Sequence, residues 1–208
     1  MTAIIDYGVG NLFSLVSSFK KIGEEAVITS DKETIEKAQR IVLPGVGAFC
    51  DAIRKLKESG LVPVLKEQIE KGKPVLGICL GMQLLFDKSF EYGEYDGLGL
   101  ISGSIKPIKD YVTDLKVPHM GWNALELKAA SHPLFKYIKN GDYVYFVHSY
   151  FAADCEKNTL AFSQYGIEIT AAVAEKNVMG CQFHPEKSGN TGLNILKAFC
   201  EMKEGSLC

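Results

Sequence analysis

Cys79 stands between Gly77 and Gly81 at the end of the apolar run Lys73-Pro-Val-Leu-Gly-Ile-Cys-Leu-Gly-Met-Gln83. A Gly-x-nucleophile-x-Gly pattern displays a reactive side chain on a tight, strained strand-to-helix turn, because glycine lets another stretch of backbone pass close by. The thiol would sit at the carboxyl end of a buried strand. It would also sit at the positive end of the helix that Leu80 to Phe86 starts, which favours thiolate over thiol. Without the flanking glycines, a cysteine in such a run is more often a small buried hydrophobe. A second half-site follows in Gly180-Cys-Gln-Phe-His-Pro-Glu186, again a short apolar strand ending in titratable groups. His184 moves a proton readily near neutrality, and Glu186, two residues on, can fix its tautomer and stabilise the imidazolium. Pro185 stiffens the turn between them. A third motif, Leu43-Pro-Gly-Val-Gly-Ala-Phe49, also leaves a buried strand, and its glycines free the backbone to turn amides toward a ligand.

The elements that must hold these groups alternate through the first half of the chain. Ala3–Ile5 reads as a strand, Leu12–Ile22 as a helix closed by Gly23, Ala26–Thr29 as a strand, Thr34–Ala38 as a short helix and 40–43 as a strand. Helices over Phe49–Glu58 and Val62–Glu70 then lead to the strand 75–78 before Cys79. Such alternation implies a mostly parallel central sheet flanked by helices, which binds ligands beyond the carboxyl ends of its strands. From Leu98 to Val178 the pattern turns β-rich, with strands at Ser104–Ile108, Trp122–Leu127, Tyr143–Phe151, Leu160–Tyr165 and Thr170–Ala174. A turn at Lys176-Asn177, a strand over Val178–Phe183 and a helix over Asn190–Met202 complete the reading. The expectation is one α/β domain over residues 1–208 with an antiparallel β-rich extension.

The chain has 208 residues and a formal net charge of −2, with no long basic run, so neither nucleic acid nor an anionic membrane surface is an expected partner. It has no basic, apolar leader and no stretch of about 20 apolar residues, and reads as a soluble cytoplasmic protein. Its six cysteines lack a Cys-x-x-Cys pair and are expected to be reduced, with neither structural zinc nor disulfides. Cys208, as the last residue, does not fit a prenylation motif.

Together, the Cys79 elbow and the later His184-Pro-Glu186 resemble the class I, triad-type glutamine amidotransferases. The resemblance implies Cys79, His184 and Glu186 as catalytic residues. It implies oxyanion-hole amides around Val46 and Gly47 and at Leu80, with Gln83 and the backbone of His148-Ser149-Tyr150 holding glutamine. A donor aimed at the oxyanion contributes roughly 3 kcal/mol. No metal or organic cofactor is required by this chemistry.

Away from the triad, Ile4-Ile-Asp-Tyr-Gly-Val-Gly-Asn-Leu-Phe-Ser14, the Pro44–Phe49 loop and Pro118-His-Met-Gly-Trp-Asn123 look like the glutaminase subunits that serve imidazole glycerol phosphate synthase. That resemblance implies a heterodimer with a (β/α)8-barrel cyclase subunit, to which ammonia passes in a step of histidine biosynthesis. It marks Asn11, Met120, Trp122, Asn123 and Lys187 as interface candidates. Each has a plainer reading as well: Asn11 as a helix N-cap, Trp122 as a core aromatic, Lys187 as a solvated charge. A peptide flip in Pro44–Gly47 would make or remove the oxyanion donor. The alternatives are a glutaminase serving pyridoxal phosphate, anthranilate or carbamoyl phosphate synthesis, a cysteine hydrolase or chaperone-like protein of similar fold, and a catalytically silent binding subunit.

Overall fold

The structure is a computed structural model and describes residues 1–205 of the chain; Cys208 lies outside the described residues. Its first half forms strands β1 (Thr2–Ile5), β2 (Ala26–Thr29), β3 (Arg40–Leu43) and β4 (Val75–Ile78) between helices α1 (Leu12–Lys21), α2 (Lys32–Lys37), α3 (Phe49–Glu58), α4 (Val62–Glu70) and α5 (Leu80–Leu84). Then come β5 (Phe86–Ser89), β6 (Tyr95–Asp96), β7 (Ile101–Pro107), β8 (His119–Ala124), β9 (Glu126–Leu127), β10 (Tyr143–His148) and β11 (Tyr150–Ala153). The chain closes through β12 (Thr159–Tyr165), β13 (Ile167–Glu175), β14 (Val178–Cys181) and α6 (Gly189–Cys200).

An eight-stranded sheet runs β2-β1-β3-β4-β14-β13-β12-β9. The strands from β2 to β14 are parallel, and β13, β12 and β9 extend the sheet antiparallel. Alternation along the central strands explains why both faces are covered. Ala3, Ile5, Ile41, Leu43 and Val75 face the cluster built with α2, α3 and α4, while Ile4, Val42 and Leu76 face the one built with α1 and α6. The helices supply matching stripes, with Phe49, Ala52, Ile53 and Leu56 buried on α3 and Leu15, Ser18 and Phe19 on α1. Start and stop signals also follow the sequence. Asp31 caps α2 by accepting from Thr34 N–H at 2.9 Å, and Gly23 ends the α1 turn at φ 78°.

Three segments differ from the sequence expectations. Helix α5 stops at Leu84, and Phe86 instead opens β5, which pairs with β6 and β7. The stretch 143–151 is not one strand: β10 pairs with β8, whereas β11 crosses to β7 in a separate four-stranded sheet. The break falls at Ser149, whose carbonyl accepts from Ile108 N–H at 2.9 Å. Likewise the expected strand Trp122–Leu127 divides at Leu125, because β8 joins β10 while β9 joins β12.

Candidate active site

Cys79 follows β4 directly, at φ 54° and ψ −112°, a conformation that L-residues adopt at a cost of about 1–3 kcal/mol. Its neighbours hold it there. The Cys79 N–H donates to the Cys181 carbonyl at 2.8 Å, and the Cys79 carbonyl accepts from Gln83 N–H at 3.2 Å. The flanking glycines are required for space: a Cβ on Gly77 would lie 2.7 Å from Met82 Cα, and one on Gly81 would overlap the Leu43 carbonyl oxygen. The thiol is buried, and it lies in a cleft of about 380 Å³ whose lining includes Val46, Gly47, Leu80, Gln83, His148, Ser149, Tyr150 and His184.

His184 leaves β14 two residues after Gln182, with its backbone N–H donating to the Tyr145 carbonyl at 3.0 Å. Its Nδ1 lies 2.8 Å from Glu186 Oε1, and both side chains are about 97% shielded from solvent, at 3% and 2% exposure. Burial alone would lower the imidazole pKa. Hydrogen bonding to Cys79 and Glu186 and their negative charge outweigh it and push His184 up to about 9. The arrangement therefore favours an imidazolium beside the sulfur at neutral pH, with Glu186 fixing the ring through Nδ1.

The Pro44–Gly47 loop packs on the same turn. A Cβ on Gly45 would come 2.6 Å from Gly81 N, and the Tyr7 hydroxyl donates to the Pro44 carbonyl at 2.7 Å. Gly47 adopts φ 94° in open space, so it is needed for its backbone angle alone. Val46 is 42% exposed at the cleft mouth.

Gln83 is turned inward, its Nε2 donating to the Tyr150 carbonyl at 3.0 Å and to Gln182 Oε1 at 2.9 Å. His148 Nδ1 lies 2.8 Å from the same carbonyl, and because a carbonyl only accepts, Nδ1 carries the proton. Burial pushes His148 down to about 3, so the ring is neutral. Both lone pairs of the Tyr150 carbonyl are thus engaged within the chain.

Of the five interface candidates, three come together. Tyr145 pairs with Trp122 across β8 and β10, their rings 6.1 Å apart, and Lys187 Nζ lies 5.9 Å from the centre of the Tyr145 ring. Met120 shares that outward face, and with Trp122 it is more than half exposed, at 61% and 52%. Trp122 is therefore not a core aromatic. Asn123 points the other way, its Oδ1 2.9 Å from His119 Nε2 and its Nδ2 donating to the Gln164 carbonyl at 3.4 Å. Asn11 occupies the N-cap position of α1, with no side-chain capping bond. Two other residues received no role of their own in the sequence reading. Phe13 is 84% exposed beside Asn11, and Glu91, carried by the unforeseen β5–β6 hairpin, lines the cleft. Glu91 Oε2 accepts from Phe49 N–H, the first of α3, at 2.6 Å, and burial raises its carboxyl. Cys50 does not line the cleft, whereas Cys181 lies buried under Cys79.

The model of the family "Glutamine amidotransferase class-I" matches residues 3–202. The chain belongs to that family. This amidotransferase is 54% identical over 203 residues to "Imidazole glycerol phosphate synthase subunit HisH" of Caldanaerobacter subterraneus subsp. tengcongensis, a match covering 97% of this chain and 98% of the relative. It is 50% identical to the protein of the same name from Oceanobacillus iheyensis, covering 97% and 99%. Solved structures share the fold at lower identity. The amidotransferase superposes on "Structure of PurLQS from Thermotoga maritima" with a TM-score of 0.74 at 18% identity, covering 96% of each chain. A "Crystal structure of glutamine amidotransferase" gives 0.73 at 18% identity, covering 95% of this chain and 98% of that one.

Proposed function

We propose that this amidotransferase is the glutaminase subunit of an imidazole glycerol phosphate synthase. It would hydrolyse glutamine to glutamate and ammonia and pass the ammonia to a cyclase subunit in the cytoplasm. The observation that carries the chemistry is the buried 2.8 Å His184–Glu186 contact beside a thiol held on a strained elbow. The partner assignment rests on the near-complete match to proteins that bear the synthase name.

In this reading the Cys79 thiolate attacks the glutamine carboxamide carbon and His184 protonates the departing ammonia, leaving a thioester. His184 then takes a proton from water, whose oxygen displaces the sulfur and releases glutamate. Amides of the Val46–Gly47 loop and of Leu80, which line the cleft, would stabilise the developing oxyanion. Glu91, a carboxylate on the cleft wall, suits the ammonium group of the substrate. The outward face of Met120, Trp122 and Lys187 would meet the cyclase, with Asn11 and Phe13 at the start of α1.

Glutamate release by the purified chain, alone and with a cyclase subunit and its ribotide ligand, tests both halves. Release that rises by orders of magnitude only in the full mixture supports the assignment. Strong release independent of the partner would remove the cyclase pairing, and none under any condition would remove the glutaminase.

A further inference from the structure

Gln182 is fully buried, and its side-chain amide lies between Gln83 and Cys79. On one side Gln182 Oε1 accepts from Gln83 Nε2 at 2.9 Å. That direction is dictated by the surroundings. Gln83 Nε2 also reaches the Tyr150 carbonyl at 3.0 Å, which can only accept, so Gln83 must present its NH2 group to both. Gln182 therefore receives at its oxygen and has its own NH2 left to give. That NH2 faces the nucleophile: Gln182 Nε2 lies 3.7 Å from Cys79 Sγ, within hydrogen-bonding reach of sulfur. The backbone holds the donor in register, with Gln182 N–H bonded to the Ala171 carbonyl at 2.9 Å across the sheet.

We propose that Gln182 is a further catalytic residue of the glutaminase reaction, donating a hydrogen bond to the Cys79 sulfur whenever that sulfur is a thiolate. It acts before attack and again when the thioester collapses and sulfur leaves with the electron pair. His184 approaches the same sulfur as a proton carrier, and its charge changes through the cycle. A carboxamide cannot change its charge, so it supplies a constant donor where His184 supplies a variable one. Gln182 is fully buried, so a bond from its amide to the sulfur has no solvent competitor on that side. The chain Tyr150 carbonyl–Gln83–Gln182–Cys79 also ties the nucleophile to the corner where β10 gives way to β11.

The role rests on the glutaminase reading for its place in catalysis, but its test does not need turnover. The rate at which iodoacetamide alkylates Cys79, followed as the modified peptide by mass spectrometry across pH, reports the thiolate directly. The titratable groups facing Cys79 are His184 and, through it, Glu186; Cys181 on β14; and Tyr7 at the end of β1. All remain in place in the variants. Gln182→Met, of similar volume but with no donor, is expected to alkylate about 3- to 10-fold more slowly at pH 7. Gln182→Glu, which sets a carboxylate against the sulfur, is expected to shift the profile further toward high pH. A residue that merely filled space would leave the profile unmoved in Gln182→Met. An unmoved profile in Gln182→Met overturns the proposal, whatever Gln182→Glu does.

Should either variant fail to fold, the parent chain still decides. One Gln182 side-chain N–H resonance should move downfield as Cys79 ionises and stay still in Cys79→Ser, and a resonance flat in both refutes the bond.

Discussion

At Gly81 a methyl group would overlap the Leu43 carbonyl oxygen, and at Gly77 it would press on Met82 Cα, whereas at Gly47 it would meet nothing within 4 Å. Both glycine-bearing turns flank the same sulfur. The elbow is wedged between β3, β4 and β14, and its glycines are there because no volume remains. The Pro44–Gly47 loop is wedged at Gly45 but open at Gly47, where the requirement is φ 94° alone. One turn fixes the Cys79 thiol, and the other asks of Gly47 a backbone angle and no exclusion of volume. A site built this way holds its thiol still, and on the proposed reading a turn of the Gly47 peptide would change which amides face the oxyanion.

The comparison can be broken or sharpened by substitution. Cys79→Ala removes what the elbow displays, and glutamate release should fall by about 10⁴-fold or more while the melting temperature stays near that of the parent. Gly81→Ala attacks the wedge itself. A urea midpoint lower by the equivalent of about 3 kcal/mol or more is expected, and a mild effect would mean that β3 and the elbow can separate. Gly47→Ala meets only backbone strain, about 1–2 kcal/mol in the same assay, with a larger proportional loss of glutamate release than of stability. Equal stability losses at Gly81 and Gly47 would erase the distinction between the two turns.

Raising the pH tests His184, which faces the sulfur between those turns. Its folded-state pKa of about 9 lies above the ordinary 6.5. The charged pair therefore contributes stability that is fully present below 6.5 and is lost as the pH rises through 9. Turnover should fall over the same upper limb, by about tenfold per unit once His184 is mostly neutral, because no proton remains for the leaving ammonia. A pH–rate profile flat to pH 10.5 would contradict this. The smallest effect is expected for Tyr7→Phe, which unties the Pro44 carbonyl: about 1 kcal/mol in stability, with an altered rate but no shift in the pH at which turnover is lost.

The parts of the site that could be read from the chain are contiguous. Cys79 with its glycines, and His184 with Glu186, carry their geometry within a few residues, and the first four strands announce themselves by alternation and by Gly or Asp punctuation. What could not be read depended on partners distant in sequence. Phe86–Ser89 has charged residues at its centre and prolongs the apolar period of α5, so nothing local separates that strand, or Glu91 beyond it, from a continuing helix. The residues 143–151 look uniform, and the break at Ser149 exists because each half finds a different sheet. Asn123 illustrates register. Strand side chains alternate, so the residue beside exposed Trp122 had to face inward, and it bonds to His119. A list of motif residues cannot show that; the pairing of β8 with β10 can.

Cys79 at φ 54° has a consequence for anyone who optimises this protein. Cys79→Gly would release the backbone strain of about 1–3 kcal/mol, and would give back a similar amount through the greater freedom of an unfolded glycine and the lost packing of the thiol. The two nearly cancel. A thermal screen or a library sorted on expression would therefore let the proposed nucleophile drift away unnoticed. Only a selection that demands nitrogen from glutamine keeps this position honest, and any stabilised variant has to be assayed for turnover before it is called improved.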